Sequence, residues 1–305
     1  MTKLEWCRSN APEALRNLSD DEVLELMESS FQQFGKDFVD DDDESYESVE
    51  YNAINSDMDY MVITLVRTFG DKLAFKGGYM LTKLIPDTAR QTTDVDFSIQ
   101  SSDLYAELID TMHVIGKHLC QKGSISNYTV KEEIRPYMSG GMDMYDADGR
   151  KVLGIDVGWH DITFGTTTTT IDVCELRAFE VERMLADKVT AILSRKRFRR
   201  PKDIYDLYCI TNCLDFNANK VNEYIMLRTE GQGADWRNFP FTEDVIREYE
   251  KAYNKLSLNS IRAGVTLDRP DFSDVLERFS VICRRLLNVE SKPLWNAQRG
   301  WFESE

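Results

Sequence analysis

The segment Lys76-Gly77-Gly78, followed by Thr93-Asp94-Val95-Asp96-Phe97, constrains this chain more than any other. A glycine pair ends one apolar run, and two aspartates, two residues apart, stand on the next. Side chains alternate across a β-strand, so Asp94 and Asp96 share one face while Val95, Phe97 and Ile99 share the face that enters a core. Two neighbouring carboxylates facing solvent repel each other, and a hard divalent cation with oxygen ligands relieves that repulsion. The glycines remove Cβ atoms where a phosphate can approach the backbone, and Tyr79 to Ile85 reads as a helix beginning there. The free N–H groups and positive dipole end of a helix N-terminus attract an anion. Together the pattern predicts a metal–triphosphate site.

The chain has 305 residues, enough to bury a substantial core in one or two domains. No apolar run approaches the roughly 18 residues of a membrane span, and no basic-then-apolar leader opens the sequence, so a soluble cytoplasmic protein without a membrane partner is expected. The six cysteines are scattered and read as reduced thiols rather than a disulfide framework. Cys209 and Cys213 lie four apart on a predicted helix, but no second Cys/His pair accompanies them as a zinc site would require. The net charge of −16 argues against a broad nucleic-acid-binding surface. The strongest basic cluster is Arg195-Lys196-Arg197-Phe198-Arg199-Arg200. It reads either as a solvated helix end or as a contact to phosphate or RNA backbone.

Residues 11 to 29 carry an amphipathic helical pattern, and Asp40 to Glu44 an acidic loop. A long helix is predicted over 46–69, leading into a strand over Lys72 to Lys76. Ser102 and Asp103 open a helix to about Gln121 with Leu104, Leu108, Met112 and Ile115 on one face. Residues 125–134 and 150–158 read as strands, separated by the turn-rich Ser139-Gly140-Gly141 and Asp146-Ala147-Asp148-Gly149. The threonine run Thr166 to Thr170 is β-prone and continues into Ile171 to Leu176. From Phe179 the pattern is helical to about residue 290, with Pro201 at one boundary. The expected division is a helical N-terminal region (1–60), an α/β core (61–176) and a helical C-terminal domain (177–305).

The motif Lys76-Gly77-Gly78-Tyr79-Met80-Leu81, then Arg90, then Asp94-Val95-Asp96 resembles motif I of the DNA polymerase β-like nucleotidyltransferase superfamily. It resembles more closely the AbiEii family of toxin-type nucleotidyltransferases. The resemblance continues in Glu182-Arg183-Met184-Leu185-Ala186-Asp187-Lys188, Arg195, and Lys202-Asp203-Ile204-Tyr205-Asp206-Leu207, so it covers about residues 60 to 215. Tyr79 departs from the family, which often has a small hydroxyl residue there. The resemblance implies an α+β fold: a polymerase β-like core with a mixed sheet and helices, flanked by helical regions. It implies transfer of a nucleoside monophosphate from an NTP to a hydroxyl, with an RNA acceptor such as a tRNA 3′ end and a cognate antitoxin as partner. It further implies Mg²⁺ as cofactor, two ions being expected, with Mn²⁺ as the alternative. The acidic composition suits RNA poorly, which keeps open transfer to a protein or small molecule. A non-catalytic nucleotide-binding module on the same fold is the remaining reading.

Within that frame Asp156 is the third carboxylate candidate. In Leu153-Gly154-Ile155-Asp156-Val157-Gly158 the apolar residues share one face, and Asp156 stands between glycines on the other, leaving space for a substrate. Two metal ions about 3.5–4 Å apart activate an attacking hydroxyl and bind the leaving pyrophosphate. Asp94 and Asp96 are the expected ligands of both ions and Asp156 of the one nearer the nucleophile. The resemblance assigns Lys188 to the nucleotide phosphates with Arg195 nearby; the two are seven apart on a predicted helix, hence on one side of it. Asp203 and Asp206 share a helix face. Asp203 either orients Lys188 or Arg195 through an ion pair or caps its own helix, and Asp206 either faces the site or does not. Arg90 is read as a structural partner of the Asp94 loop, with a phosphate contact as the other reading. The histidines His113, His118 and His160 form no ligand set, and no Gly-x-Ser-x-Gly, Walker A or dinucleotide fingerprint appears.

Overall fold

A computed structural model describes residues 51–131, 140–159, 162–171, 174–192, 201–229, 243–256, 269–287 and 293–303. The predicted helix over 11–29, the acidic run at 40–44, the Arg195–Arg200 cluster and His160 lie outside them.

The first described element is helix α1 (Tyr51–Phe69), which leads into β1 (Leu73–Lys76). Helix α2 (Gly77–Leu84) follows directly, starting on the glycine pair itself, two residues earlier than the sequence pattern indicates. Then come β2 (Asp94–Ile99), α3 (Tyr105–Lys122), β3 (Asn127–Lys131), β4 (Gly140–Tyr145), β5 (Lys151–Trp159), β6 (Thr166–Ile171) and β7 (Cys174–Phe179). These strands form one mixed sheet of order β3-β4-β5-β2-β1-β7-β6. β2 runs parallel to β5 and β1 parallel to β7, while the other neighbours are antiparallel.

The core sits on the face opposite the aspartates. Val95, Phe97 and Ile99 of β2 and Leu153, Ile155 and Val157 of β5 are buried there. α1 lies against β2 and β7, and α3 against α1 and β3. Met58, Met61 and Leu65 from α1, and Leu108, Met112 and Ile115 from α3, complete the cluster. This is the alternation and helical spacing that the sequence displays.

Beyond β7 the chain is mainly helical: α4 (Val181–Ile192), α5 (Pro201–Cys213), α6 (Ala218–Thr229), α7 (Glu243–Lys255) and α8 (Phe272–Leu287). A three-stranded sheet of β8 (Phe216–Asn217), β9 (Pro293–Asn296) and β10 (Gly300–Glu303) joins them, in the order β10-β9-β8. Buried Trp295 anchors it, donating from Nε1 to the Thr211 carbonyl at 2.7 Å and packing on Phe216 and Trp301.

Three sequence expectations are corrected. Gly140-Gly141 is the start of strand β4, not a turn; a Cβ on Gly141 would come 2.3 Å from the Ile155 carbonyl, so glycine here serves close approach between strands. The threonine run and the following segment are two strands of a hairpin, with Thr170 opposite Glu175, rather than one continuous strand. The C-terminal part holds the small sheet as well as helices. No helix among the described residues is long and apolar enough to cross a membrane.

Candidate active site

Strand register gathers the candidate residues into two cross-strand rows. In the first, Lys76 of β1 stands opposite Asp96 of β2, Asp96 opposite Asp156 of β5, Asp156 opposite Gly141 of β4, and Gly141 opposite Lys131 of β3. In the second, Asp94 stands opposite Gly154, Gly154 opposite Asp143, and Asp143 opposite Thr129. Residues two apart on a strand point the same way, so both rows occupy the face away from the core. The parallel pairing of β2 with β5 therefore brings Asp94, Asp96 and Asp156 together.

The glycine pair does specific work beneath this row. Gly77 has φ +72°, a conformation that side chains resist, and a Cβ there would lie 2.1 Å from Asp96 Oδ2. Gly78 abuts Thr92, whose Oγ1 would be 3.0 Å from an added Cβ. The glycines thus let α2 begin against the Asp96 carboxylate, with the helix N-terminus beside it.

Electrostatics reflect the crowding. Burial first, then Asp156 and Asp94, lift the Asp96 carboxyl from 3.8 to about 7, against the pull of Lys76 and Lys202. Asp156 is open to solvent on its outer side, yet the protein crowding it, and then Asp94, raise its carboxyl above the ordinary range. Asp94 is drawn to Lys151, whose Nζ is 3.1 Å from Oδ1. Among the described residues no three Asp, Glu, His or Cys side chains already converge as a cation cage.

Three charged residues that the sequence pattern does not mark, Asp143, Lys131 and Lys151, belong to this face. Asp143 of β4 is buried and accepts Lys131 at 2.6 Å and Lys151 at 3.0 Å. Burial opposes ionisation, but the two ammonium groups prevail and hold its carboxyl below the ordinary range. The alternation of Asp143 with Gly141 on a strand is the available signal, and the turn-like Gly140-Gly141 pair masks it.

A second charged cluster lies in the helices. Lys188 of α4 is not a surface lysine: it is 8% exposed, and its Nζ donates to Asp203 at 3.0 Å and Asp206 at 2.6 Å, both on α5 and both buried. Burial disfavours its charge, but Asp206 and Asp203 outweigh that and hold its pKa above the usual value. Arg90, from the loop before β2, closes on Asp206 through Nε at 3.0 Å and Nη2 at 3.2 Å. The arginine thus joins the loop before β2 to α5, its Nη1 also donating to the Gln91 carbonyl of that loop at 3.1 Å. Of the two readings of Asp203, the structure has the ion pair to Lys188. Cys209 and Cys213 contact Thr88 through its carbonyl and its hydroxyl, both at 3.3 Å. His118 stacks on Tyr60, and His113 lies 3.4 Å from the Tyr128 hydroxyl.

A mixed sheet with aligned aspartates on adjacent parallel strands, and a glycine-started helix against them, defines a nucleotidyltransferase-type α+β core. The sequence model described as "Nucleotidyl transferase AbiEii toxin, Type IV TA system" matches residues 63–278, and the chain belongs to that family. It is accordingly a nucleotidyltransferase. No curated relative matches the chain. Among solved structures, a candidate nucleotidyltransferase from H. pylori is similar at 13% identity and TM-score 0.46, over 79% of this chain and 96% of its own. JHP933 from Helicobacter pylori is similar at 14% identity and TM-score 0.42, over 79% and 94%. An antigenic nucleotidyltransferase-like protein from Paracoccidioides brasiliensis is similar at 16% identity and TM-score 0.31, over 74% and 93%.

Proposed function

We propose that this protein is a metal-dependent toxin that moves a nucleoside monophosphate from an NTP to an acceptor hydroxyl and releases pyrophosphate. The observation that carries the reading is Asp96 level with Asp156 on adjacent parallel strands, with Asp94 on the same face and α2 beginning beside them. A divalent ion fits these residues. They offer carboxylate oxygens, which suit Mg²⁺ and Mn²⁺. Asp94 Oδ1 is buried without a partner in hydrogen-bond geometry, and burial followed by neighbouring carboxylates raises both other carboxyls, Asp156 and Asp94 acting on Asp96 and Asp94 acting on Asp156. When bound, the ion neutralises triphosphate charge and acidifies the attacking hydroxyl.

The protein's own groups divide the remaining work. Asp94, Asp96 and Asp156 hold the cation. Asp156, with its carboxyl raised above the ordinary range by burial and Asp94, accepts the proton of the acceptor hydroxyl. The Gly77-Gly78 backbone at the start of α2, together with Lys76, Lys202 and Arg195, receives the phosphates. Lys188 acts from behind this surface. Its ion pairs to Asp203 and Asp206 fix α5, whose first turn carries Lys202, and Arg90 ties α5 to the loop before β2.

The acceptor is RNA, with a tRNA 3′ end as the specific case, and a cognate antitoxin restrains the enzyme, in line with the family's toxin–antitoxin character. The net charge of −16 favours a second reading, transfer to a protein or small molecule. Incubation with each labelled NTP, Mg²⁺ and total cellular RNA and protein separates the cases. Label at RNA 3′ ends is expected; label in protein or small molecules moves the acceptor. No transfer from any NTP leaves the non-catalytic binding module.

A further inference from the structure

Gly154 lies between Asp94 and Asp143 in the second cross-strand row and puts no side chain between them. Lys151 occupies that space. Its Nζ is 3.1 Å from Asp94 Oδ1 and 3.0 Å from Asp143 Oδ1, so one ammonium bridges two carboxylates. A Cβ on Gly154 would come 2.4 Å from Asp94 Oδ1 and 3.0 Å from Lys151 Nζ, so the bridge depends on glycine at this position. The two ends of the bridge are unequal. The contact to Asp94 lies outside hydrogen-bond geometry, leaving that buried oxygen without a donor, whereas Asp143 is held by Lys131 as well.

We propose that Lys151 is a resident counter-cation for Asp94, holding it over Gly154 in the metal-free protein and surrendering it to a divalent cation while remaining paired with Asp143. The inference rests on the carboxylate-site reading given above. The physics favours such an exchange. A divalent ion doubles the charge product with Asp94 at similar separation, so it outcompetes an ammonium. Lys151 has no need to enter water unpaired, because Asp143 already accepts it. An unbranched lysine makes the small change by side-chain rotation. Without Lys151, the metal-free protein would hold Asp94 and Asp143 either side of a bare glycine, with Lys131 the one remaining ion-pair partner of the two among the described residues. With it, cation binding has to displace one existing contact, which lowers affinity.

The test uses the full chain, stripped with chelator, and follows Mg²⁺ or Mn²⁺ binding by calorimetry and by melting temperature. Lys151→Met is expected to bind Mg²⁺ roughly fivefold more tightly, on the scale of one partly exposed ion pair removed from competition. It is also expected to melt lower than wild type in chelator and to gain more from added Mg²⁺. Lys131→Met is the control, removing an equal charge that pairs with Asp143 instead of Asp94; its affinity should change less than about threefold on the same scale. Lys151→Arg should bind as wild type does, and Lys151→Gln replaces Lys151→Met should the latter not fold. Equal tightening in Lys151→Met and Lys131→Met would show a general field effect and overturn the exchange. Unchanged affinity in Lys151→Met overturns it too, while wild-type binding keeps the carboxylate site intact. A wild type that neither binds the cation by calorimetry nor melts higher with it overturns the carboxylate-site reading itself, and this inference with it.

Discussion

Asp96→Asn tests the carboxylate row most sharply. Asp96 is pressed against Gly77, level with Asp156, and its carboxyl is raised from 3.8 to about 7 by burial and by Asp156 and Asp94. A group with a folded value above its unfolded one favours folding in its protonated form. Its ionisation therefore takes nothing from stability below the unfolded value, takes progressively more as pH rises toward 7, and takes the full amount above that. At about 1.4 kcal/mol per pH unit the full amount is roughly 4 kcal/mol. Water reaching this partly accessible group, and side-chain relaxation, reduce it to about 2 kcal/mol. Asparagine keeps the shape and cannot ionise.

In chelator at pH 8, Asp96→Asn should therefore melt about 4–8 °C above wild type. The gap should narrow steadily as pH falls toward 4, because wild-type Asp96 is protonated there as well. Added Mg²⁺ should raise the wild-type melting temperature more than the variant's, since a ligand stabilises only the state that binds it. Nucleotide transfer should drop at least about a hundredfold, the usual consequence of removing one major electrostatic contribution. Scanning calorimetry across pH and a labelled-NTP transfer assay measure both halves. A variant no more stable than wild type at pH 8 refutes the crowding argument, and one that transfers at the wild-type rate refutes the row's role in chemistry.

Lys188→Met should lower stability by roughly 3 kcal/mol in urea unfolding, because it leaves buried Asp203 and Asp206 without their shared ammonium; a change within about 0.5 kcal/mol, as at a surface site, would show that the pairs contribute little. Gly77→Ala should lose roughly 1–3 kcal/mol from its φ of +72° alone, and displacing Asp96 should reduce Mg²⁺ binding by calorimetry; a fully active, equally stable variant would contradict the packing. Arg90→Lys, which keeps the charge but loses the Nη2 hydrogen bond to Asp206, should destabilise by about 1 kcal/mol. A melting temperature equal to wild type would show that hydrogen bond to be dispensable.

What the sequence reveals here follows the range of the forces involved. Alternation along a strand is local, so the shared face of Asp94 and Asp96, the buried Val95, Phe97 and Ile99, and the isolation of Asp156 between glycines are all legible from residue order. The levelling of Asp96 with Asp156 is not, because register between β2 and β5 is fixed by the whole sheet. Glycine misleads at Gly140-Gly141: the residue that marks a turn also marks a place where two backbones approach closely. Losing β4 in this way hid Asp143, and with it the partner that explains Lys151. The small C-terminal sheet escapes because its strands span two to four residues, too few for a period to show.

Lys188 shows a different limit. Helical spacing indicates which side of α4 the lysine occupies, but not that α5 covers that side with two aspartates. The family resemblance assigns this lysine to the nucleotide phosphates. Seen with Asp203, Asp206 and Arg90, its charge is balanced within the protein, and direct contact with a nucleotide would require at least one short ion pair to break. Lys76 and Lys202 are less enclosed: both act on Asp96 and neither is buried. A triphosphate approaching the aspartate row would thus meet Lys76 and Lys202 at the surface. The buried lysine would set where α5, and therefore Lys202, stands to meet it.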